Sequence, residues 1–184
     1  AFLPLEQIYQ GSENWDRLIE MYLARFPLVD DRFDRIQLLR NAGTLYEEKK
    51  EDIASAFLIH VAILKEDPLD PDIGAKLAVL AEASGNWDAL VSGYTDAIQT
   101  VVADRGAADT LELHQRVAGY YREKLGRPEM AEVHYHKVLD IDSGDEDALK
   151  QLEAIYEQTE QWPELIGILK RRLDLPIDVD SYTI

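Results

Sequence analysis

The 184-residue sequence contains no cysteine. That excludes disulfide bridges, thiolate metal sites and a cysteine nucleophile. Cations are in deficit, 19 Lys and Arg against 36 Asp and Glu, for a formal net charge of −17. Such a surface repels phosphate backbones and anionic headgroups, which argues against nucleic acid and anionic membranes as partners. Long apolar runs are also missing. The longest, Ala54 to Leu64, is broken by Ser55 and His60 and is too short to span a bilayer, so no membrane insertion is expected. Residues 1–10 have neither the basic start nor the apolar core of a secretory signal, which leaves the cytoplasm as the default compartment. No segment sustains period-two alternation between turn pairs, so no sheet is expected. What remains is 46% hydrophobic and 30% charged, a balance that suits a folded chain rather than a disordered one.

The three tryptophans disclose an internal repeat. Trp15, Trp87 and Trp162 lie 72 and 75 residues apart. A leucine precedes each by ten positions: Leu5, Leu77 and Leu152. Leu18-Ile19, Leu90-Val91 and Leu165-Ile166 follow at three and four, and Tyr22, Tyr94 and Leu169 at seven. That spacing sets one apolar stripe on one helix face, and it predicts core packing for the tryptophans rather than a ligand cage. The segments between also match. Arg40 to Gly43 aligns with Arg116 to Gly119, and Ala56 to Pro68 with Ala131 to Ser143.

Periodicity and punctuation predict helices over 4–11, 15–26, 31–49, 53–66, 71–84, 87–103, 107–125, 128–141, 145–159 and 162–174. Asn14, Asn86 and Asp70 suit N-caps, where a short side chain accepts a bond from a free first-turn amide. Pro71, Pro128 and Pro163 fall in first turns, where the missing N–H is not needed.

These residues resemble the tetratricopeptide repeat family, as a divergent, bacterial-type member. The clearest unit is Gln115 to Ser143, with Gly119, Ala131 and Tyr135 at the family's small, alanine and aromatic positions and Ser143 where a proline is usual. The unit from Leu39 to Pro68 supplies Gly43, Ala56 and Pro68, with one extra residue in its turn. The alternate units place Leu90 and Leu165 where the family packs an alanine. The resemblance runs from about Leu5 to Leu173, with two hairpin types alternating. It implies an all-α architecture: a right-handed superhelical stack of antiparallel helix hairpins, an α-solenoid without a sheet. Residues 1–184 are then one repeat domain. Leu5 to Trp15 reads as the tail of a unit, and Leu173 to Asp180 resembles Phe26 to Asp31, so a piece of a longer array is expected.

Catalytic signatures are missing. There is no Gly-x-x-x-x-Gly-Lys loop, no His-Glu-x-x-His and no Gly-x-Ser-x-Gly, so no enzyme and no cofactor are expected. His134 and His136 point to different sides of a helix, and no metal site is expected among the four histidines. The run from Asp140 to Asp147 resembles a calcium loop, but Gly144 comes one position early and Gln151 replaces the bidentate glutamate. It aligns instead with the turn Lys65 to Asp72.

The resemblance implies a concave wall lined by the first helix of each hairpin. Arg40, Arg116 and Lys150 fall at one equivalent site there, with Ala75 in the fourth helix. Glu47, Glu82, Glu123 and Glu157 follow seven residues later, and Thr44, Val79, Tyr120 and Ala154 lie between. Two readings stand open: a ladder of ion pairs between neighbouring helices, or a groove in which Arg40, Thr44, Val79, Arg116, Tyr120 and Lys150 bind a peptide. The expected function is a protein-interaction scaffold with a protein or peptide partner. The alternative is a structural spacer or regulatory arm within a larger protein, without a ligand of its own.

Overall fold

The computed structural model describes residues 2–175, the side chain of Phe2 excepted. Ten α-helices follow one another: α1 Phe2–Gly11, α2 Trp15–Arg25, α3 Arg32–Glu48, α4 Ile53–Glu66, α5 Pro71–Ser84, α6 Trp87–Asp104, α7 Leu111–Gly119, α8 Pro128–Ile141, α9 Glu146–Gln158 and α10 Trp162–Leu173. No strand occurs among the described residues. The expected stretch 107–125 is not one regular helix. It opens with a 3-10 turn, Ala107–Thr110, and α7 then gives way to a wider-wound turn, Tyr120–Lys124. Of the expected approach to a further unit, residues 176–180 lie outside the described residues.

The helix starts follow the local chemistry. Asn14, Asp31, Asp52, Asp70 and Asp145 each accept a bond from an amide of the turn they cap. Pro71, Pro128 and Pro163 occupy first-turn positions of α5, α8 and α10. Helices pack in sequential pairs, α1 with α2, α3 with α4, α7 with α8 and α9 with α10, and one device recurs in their turns and in the turn from α5 to α6. The residue two before the second helix has positive φ: Glu13, Glu51, Gly85, Gly126 and Glu160. In four of the turns the next amide bonds back to a tyrosine carbonyl: Asn14 to Tyr9, Asp52 to Tyr46, Arg127 to Tyr121 and Gln161 to Tyr156. These bonds satisfy carbonyls that a helix end leaves open.

The chain forms two compact units, residues 1–99 and 100–184. In the first, α1 packs on α2, α2 on α3, α3 on α4 and α4 on α5. Leu18, Ile19 and Tyr22 of α2 are buried with Leu38 and Ala42 of α3. In the second unit α7, α8, α9 and α10 pack in the same succession around Ala118, Ala131, Val138, Leu149, Leu152 and Ile155. Small residues at Ala42, Ala118 and Ala131, all fully buried, let helix axes approach closely.

The tryptophans hold equivalent places at the edge of the core rather than within it, and Trp15 packs against the core of the first unit as expected. Each is the first residue of its helix, in α2, α6 and α10. Trp15 and Trp87 are half-buried and Trp162 is 55% exposed. A first-turn side chain leans back beyond the helix start, toward the turn and solvent. The large buried aromatics are Tyr22, Phe57, Tyr94, Tyr135 and Tyr156 instead.

Candidate functional site

Within the first unit, α3, α4 and α5 enclose an open cavity of about 380 Å³. From α3 come Arg40, Thr44 and Glu47, from α4 His60 and Ile63, and from α5 Asp72, Ile73 and Lys76. The spacing explains the grouping: Arg40, Thr44 and Glu47 share one face at four and three residues, and so do Ile73 and Lys76. Ile63 and Ile73 are buried and form an apolar floor. Charges of both signs form the rim.

Those charges are paired across helices. Lys76 Nζ lies 2.5 Å from Glu47 Oε2, joining α5 to α3. Arg40 Nη2 donates to Asp70 Oδ2 at 2.5 Å, while its buried Nε has no partner. His60 donates from Nδ1 to the Ala56 carbonyl at 2.8 Å, the role a carbonyl acceptor dictates, and its Nε2 faces Glu47 at 3.6 Å. Burial holds this imidazole below its ordinary value, against the pull of the Ala56 carbonyl and the Glu47 carboxylate. Gly43 makes room for it: a Cβ there would stand 2.7 Å from His60 Cε1.

Arg40 and Thr44 line this cavity together. Val79 is exposed on α5 and does not line the cavity. Lys150 is exposed on α9 and bonds Glu146 of its own helix at 3.4 Å. Arg116 and Tyr120 are half-buried in the second unit, but the structure corrects their alignment by one residue. Gln115 donates to Asp145 Oδ2, at 2.7 Å, as Arg40 does to Asp70. Burial agrees: Leu38, Leu39, Ala42 and Gly43 match Leu113, His114, Val117 and Ala118. The equivalents of Arg40 and Thr44 are thus Gln115 and Gly119. The shared Arg-x-Ala-Gly string set the wrong register.

Lys76, His60 and the two isoleucines of the cavity were not among the expected residues. Lys76 follows Ala75, the position without a cation, and reaches Glu47 from there. Both open readings have something in this site. Glu47 and Lys76 form a rung between helices, yet the space they border stays open.

The second unit replaces Thr44 and His60 with Gly119 and Tyr135. It pairs His114 with His134, Nδ1 to Nδ1 at 2.9 Å, with the Tyr121 ring nearby. Among the described residues no group of three or more His, Cys, Asp or Glu is placed to hold a metal. None of their helices is long and apolar enough to cross a membrane.

Comparison with known proteins agrees with this geometry. The family described as tetratricopeptide repeat matches residues 148–181, covering most of α9 and all of α10. The crystal structure of MamA shares the fold over 92% of each chain, at 15% identity and a TM-score of 0.50. A second structure titled for the MamA protein matches over 100% of this chain and 94% of its own, at 15% identity and a TM-score of 0.52. No curated protein sequence matches the chain. The chain is an all-α repeat protein whose fold is similar to that of the MamA structures, and residues 148–181 are similar to the tetratricopeptide repeat.

Proposed function

We propose that the cavity between α3, α4 and α5 receives a segment of a partner protein. The observation that supports this reading is an open space with an apolar floor, Ile63 and Ile73, and a rim carrying Arg40, Lys76, Glu47 and Asp72. Its volume lies in the range of small binding sites and suits one or two side chains of an extended segment. An apolar side chain fits the floor, and an adjoining carboxylate reaches Arg40 and Lys76. The partner must compete with Glu47 and Asp70 for those cations, so binding is selective rather than tight. In the second unit Arg116 and Lys150 offer two cations and Tyr120 an aromatic, as a separate subsite that is not the equivalent of this cavity.

Thr44 is exposed at the cavity edge, so Thr44→Tyr fills the space without disturbing the core. Random linear peptides displayed on phage are the probe. Peptides selected on the wild-type protein should carry an acidic residue beside an apolar one. They should lose binding at least tenfold to Thr44→Tyr and to Lys76→Ala. With an acidic peptide on a protein of net charge −17, added salt should speed association by screening repulsion. Selected peptides that bind both variants as well as wild type would move the site elsewhere.

A further inference from the structure

The imidazole of His60 is held on the wall of the cavity from two sides. Its Nδ1 donates to the Ala56 carbonyl at 2.8 Å. Gly43 leaves the room that Cε1 needs, since a Cβ there would stand 2.7 Å from it. Burial holds the ring below its ordinary value, so at neutral pH it carries one hydrogen, and Nδ1 has it. The second nitrogen, Nε2, is then a lone pair on a residue that lines the cavity. It faces Glu47 Oε1 at 3.6 Å, beyond hydrogen-bond distance, and a carboxylate has no hydrogen to offer it. Glu47 is itself engaged, by Lys76 at 2.5 Å. The packing does not demand a histidine here. In the second unit the equivalent position is Tyr135, and Ala118 stands where the first unit has Gly43.

We propose that His60 Nε2 sets the specificity of the cavity by accepting a hydrogen bond from a hydroxyl on the partner residue that rests on Ile63 and Ile73. The inference rests on the cavity being the partner's site. His60 and Ile63 stand three apart on α4 and share a face, so the acceptor and the apolar floor adjoin. One side chain meets both only if it joins apolar surface to a donor, as threonine and tyrosine do. A neutral donor is favoured over an ammonium, because Glu47, the acid beside Nε2, already holds Lys76, and a second cation there would meet the first. Water reaches Nε2 through the open cavity. A segment that displaces this water must bring a donor in turn or leave the nitrogen unpaired. Such a loss separates a hydroxyl from the methyl that replaces it more sharply than apolar fit does.

Displayed peptides that bind the wild type and lose binding to Thr44→Tyr occupy the cavity, and they are the probe. In them the residue beside the acid should be threonine or tyrosine. Replacing that threonine by valine, or tyrosine by phenylalanine, in synthetic peptides should weaken binding about tenfold by titration calorimetry. His60→Phe keeps a ring without an acceptor, and on this variant the two members of each peptide pair should bind alike. Far-UV circular dichroism checks its helices. If His60→Phe loses helix, the NMR resonance of the Nε2 nitrogen in the wild type becomes the readout. The hydroxyl peptide should shift it upfield and its apolar counterpart should not. Cavity-bound peptides with leucine, valine or lysine at that place overturn the inference and leave the cavity as the partner's site. So does a hydroxyl whose removal costs nothing, or whose effect persists undiminished in His60→Phe. Peptides that all ignore Thr44→Tyr overturn the cavity reading itself, and this inference with it.

Discussion

Asp70 ties two helices together with its two oxygens: Oδ1 accepts the Asp72 amide at 2.9 Å and caps α5, while Oδ2 accepts Arg40 Nη2 of α3 at 2.5 Å. Asp70→Ala loses both contacts. The cap is worth about 1–2 kcal/mol and the partly exposed ion pair about 1 kcal/mol or less. Asp70→Asn keeps an acceptor for the cap and should lose under about 1 kcal/mol. Urea denaturation of both variants measures the difference, and equal losses would contradict this division of roles.

Acid should weaken the fold before the carboxylates are titrated. Burial pushes His134 down to about 4, with His114 beside it adding to the shift. Burial also lowers His114 and His60. The unfolded chain takes up these protons at the ordinary histidine value near 6.5, while the folded chain refuses them. The stabilisation is therefore complete above pH 6.5 and declines as pH falls toward 4. Two imidazoles that share one Nδ1 to Nδ1 bond cannot both be charged without facing donor to donor. The urea midpoint should fall across this window, and His134→Asn should flatten the decline. A midpoint independent of pH between 6.5 and 4 would contradict the burial of these rings.

The tyrosines at the seventh position, not the tryptophans, should dominate the core. Tyr22 is buried and donates from its hydroxyl to Glu6 Oε1 at 2.5 Å. Tyr22→Ala should cost about 3–5 kcal/mol, whereas Trp162→Ala should cost under about 1 kcal/mol because so little of it is covered. Tyr22→Phe isolates the hydroxyl and should cost about 1 kcal/mol. Denaturant unfolding ranks the three, and acrylamide should quench Trp162 most readily of the tryptophans. A Trp162 loss as large as that of Tyr22 would refute the ranking.

Two glycines in one sequence motif should respond oppositely to alanine. Gly43→Ala drives a methyl into His60, whose ring the Ala56 carbonyl anchors, and should cost about 1–3 kcal/mol. Gly119→Ala meets nothing within 4 Å and lies in helical backbone, so it should gain about 0.5–1 kcal/mol. Thermal unfolding of the two variants supplies the comparison. Changes of the same sign would contradict the one-residue register described above.

The helices were legible because their signals are local. Leu77 to Trp87 predicts the end of α5 and the start of α6 from the stripe alone, and Asp70-Pro71 marks a cap and a first turn. The site was legible only in part. Arg40 and Thr44 share a face of one helix, which periodicity reveals. Lys76 reaches Glu47 across two helices, and no spacing within α5 signals that partner. The tryptophans misled because their spacing identifies an equivalent position, not the depth of that position. The register of α7 was lost to a matching string, whereas burial of Leu113, His114, Val117 and Ala118 fixes it only once the fold is known.

The left-handed residue before each second helix is, where it is not glycine, a store of local strain. Glutamate holds it in three turns and glycine in two, although only glycine takes that conformation without strain. What the five turns share is therefore the sign of one dihedral angle, a property with no fixed letter in the sequence. Glutamate in such a joint carries strain that glycine does not, so Glu13→Gly, Glu51→Gly and Glu160→Gly each relieve a tension that Gly85 and Gly126 never hold.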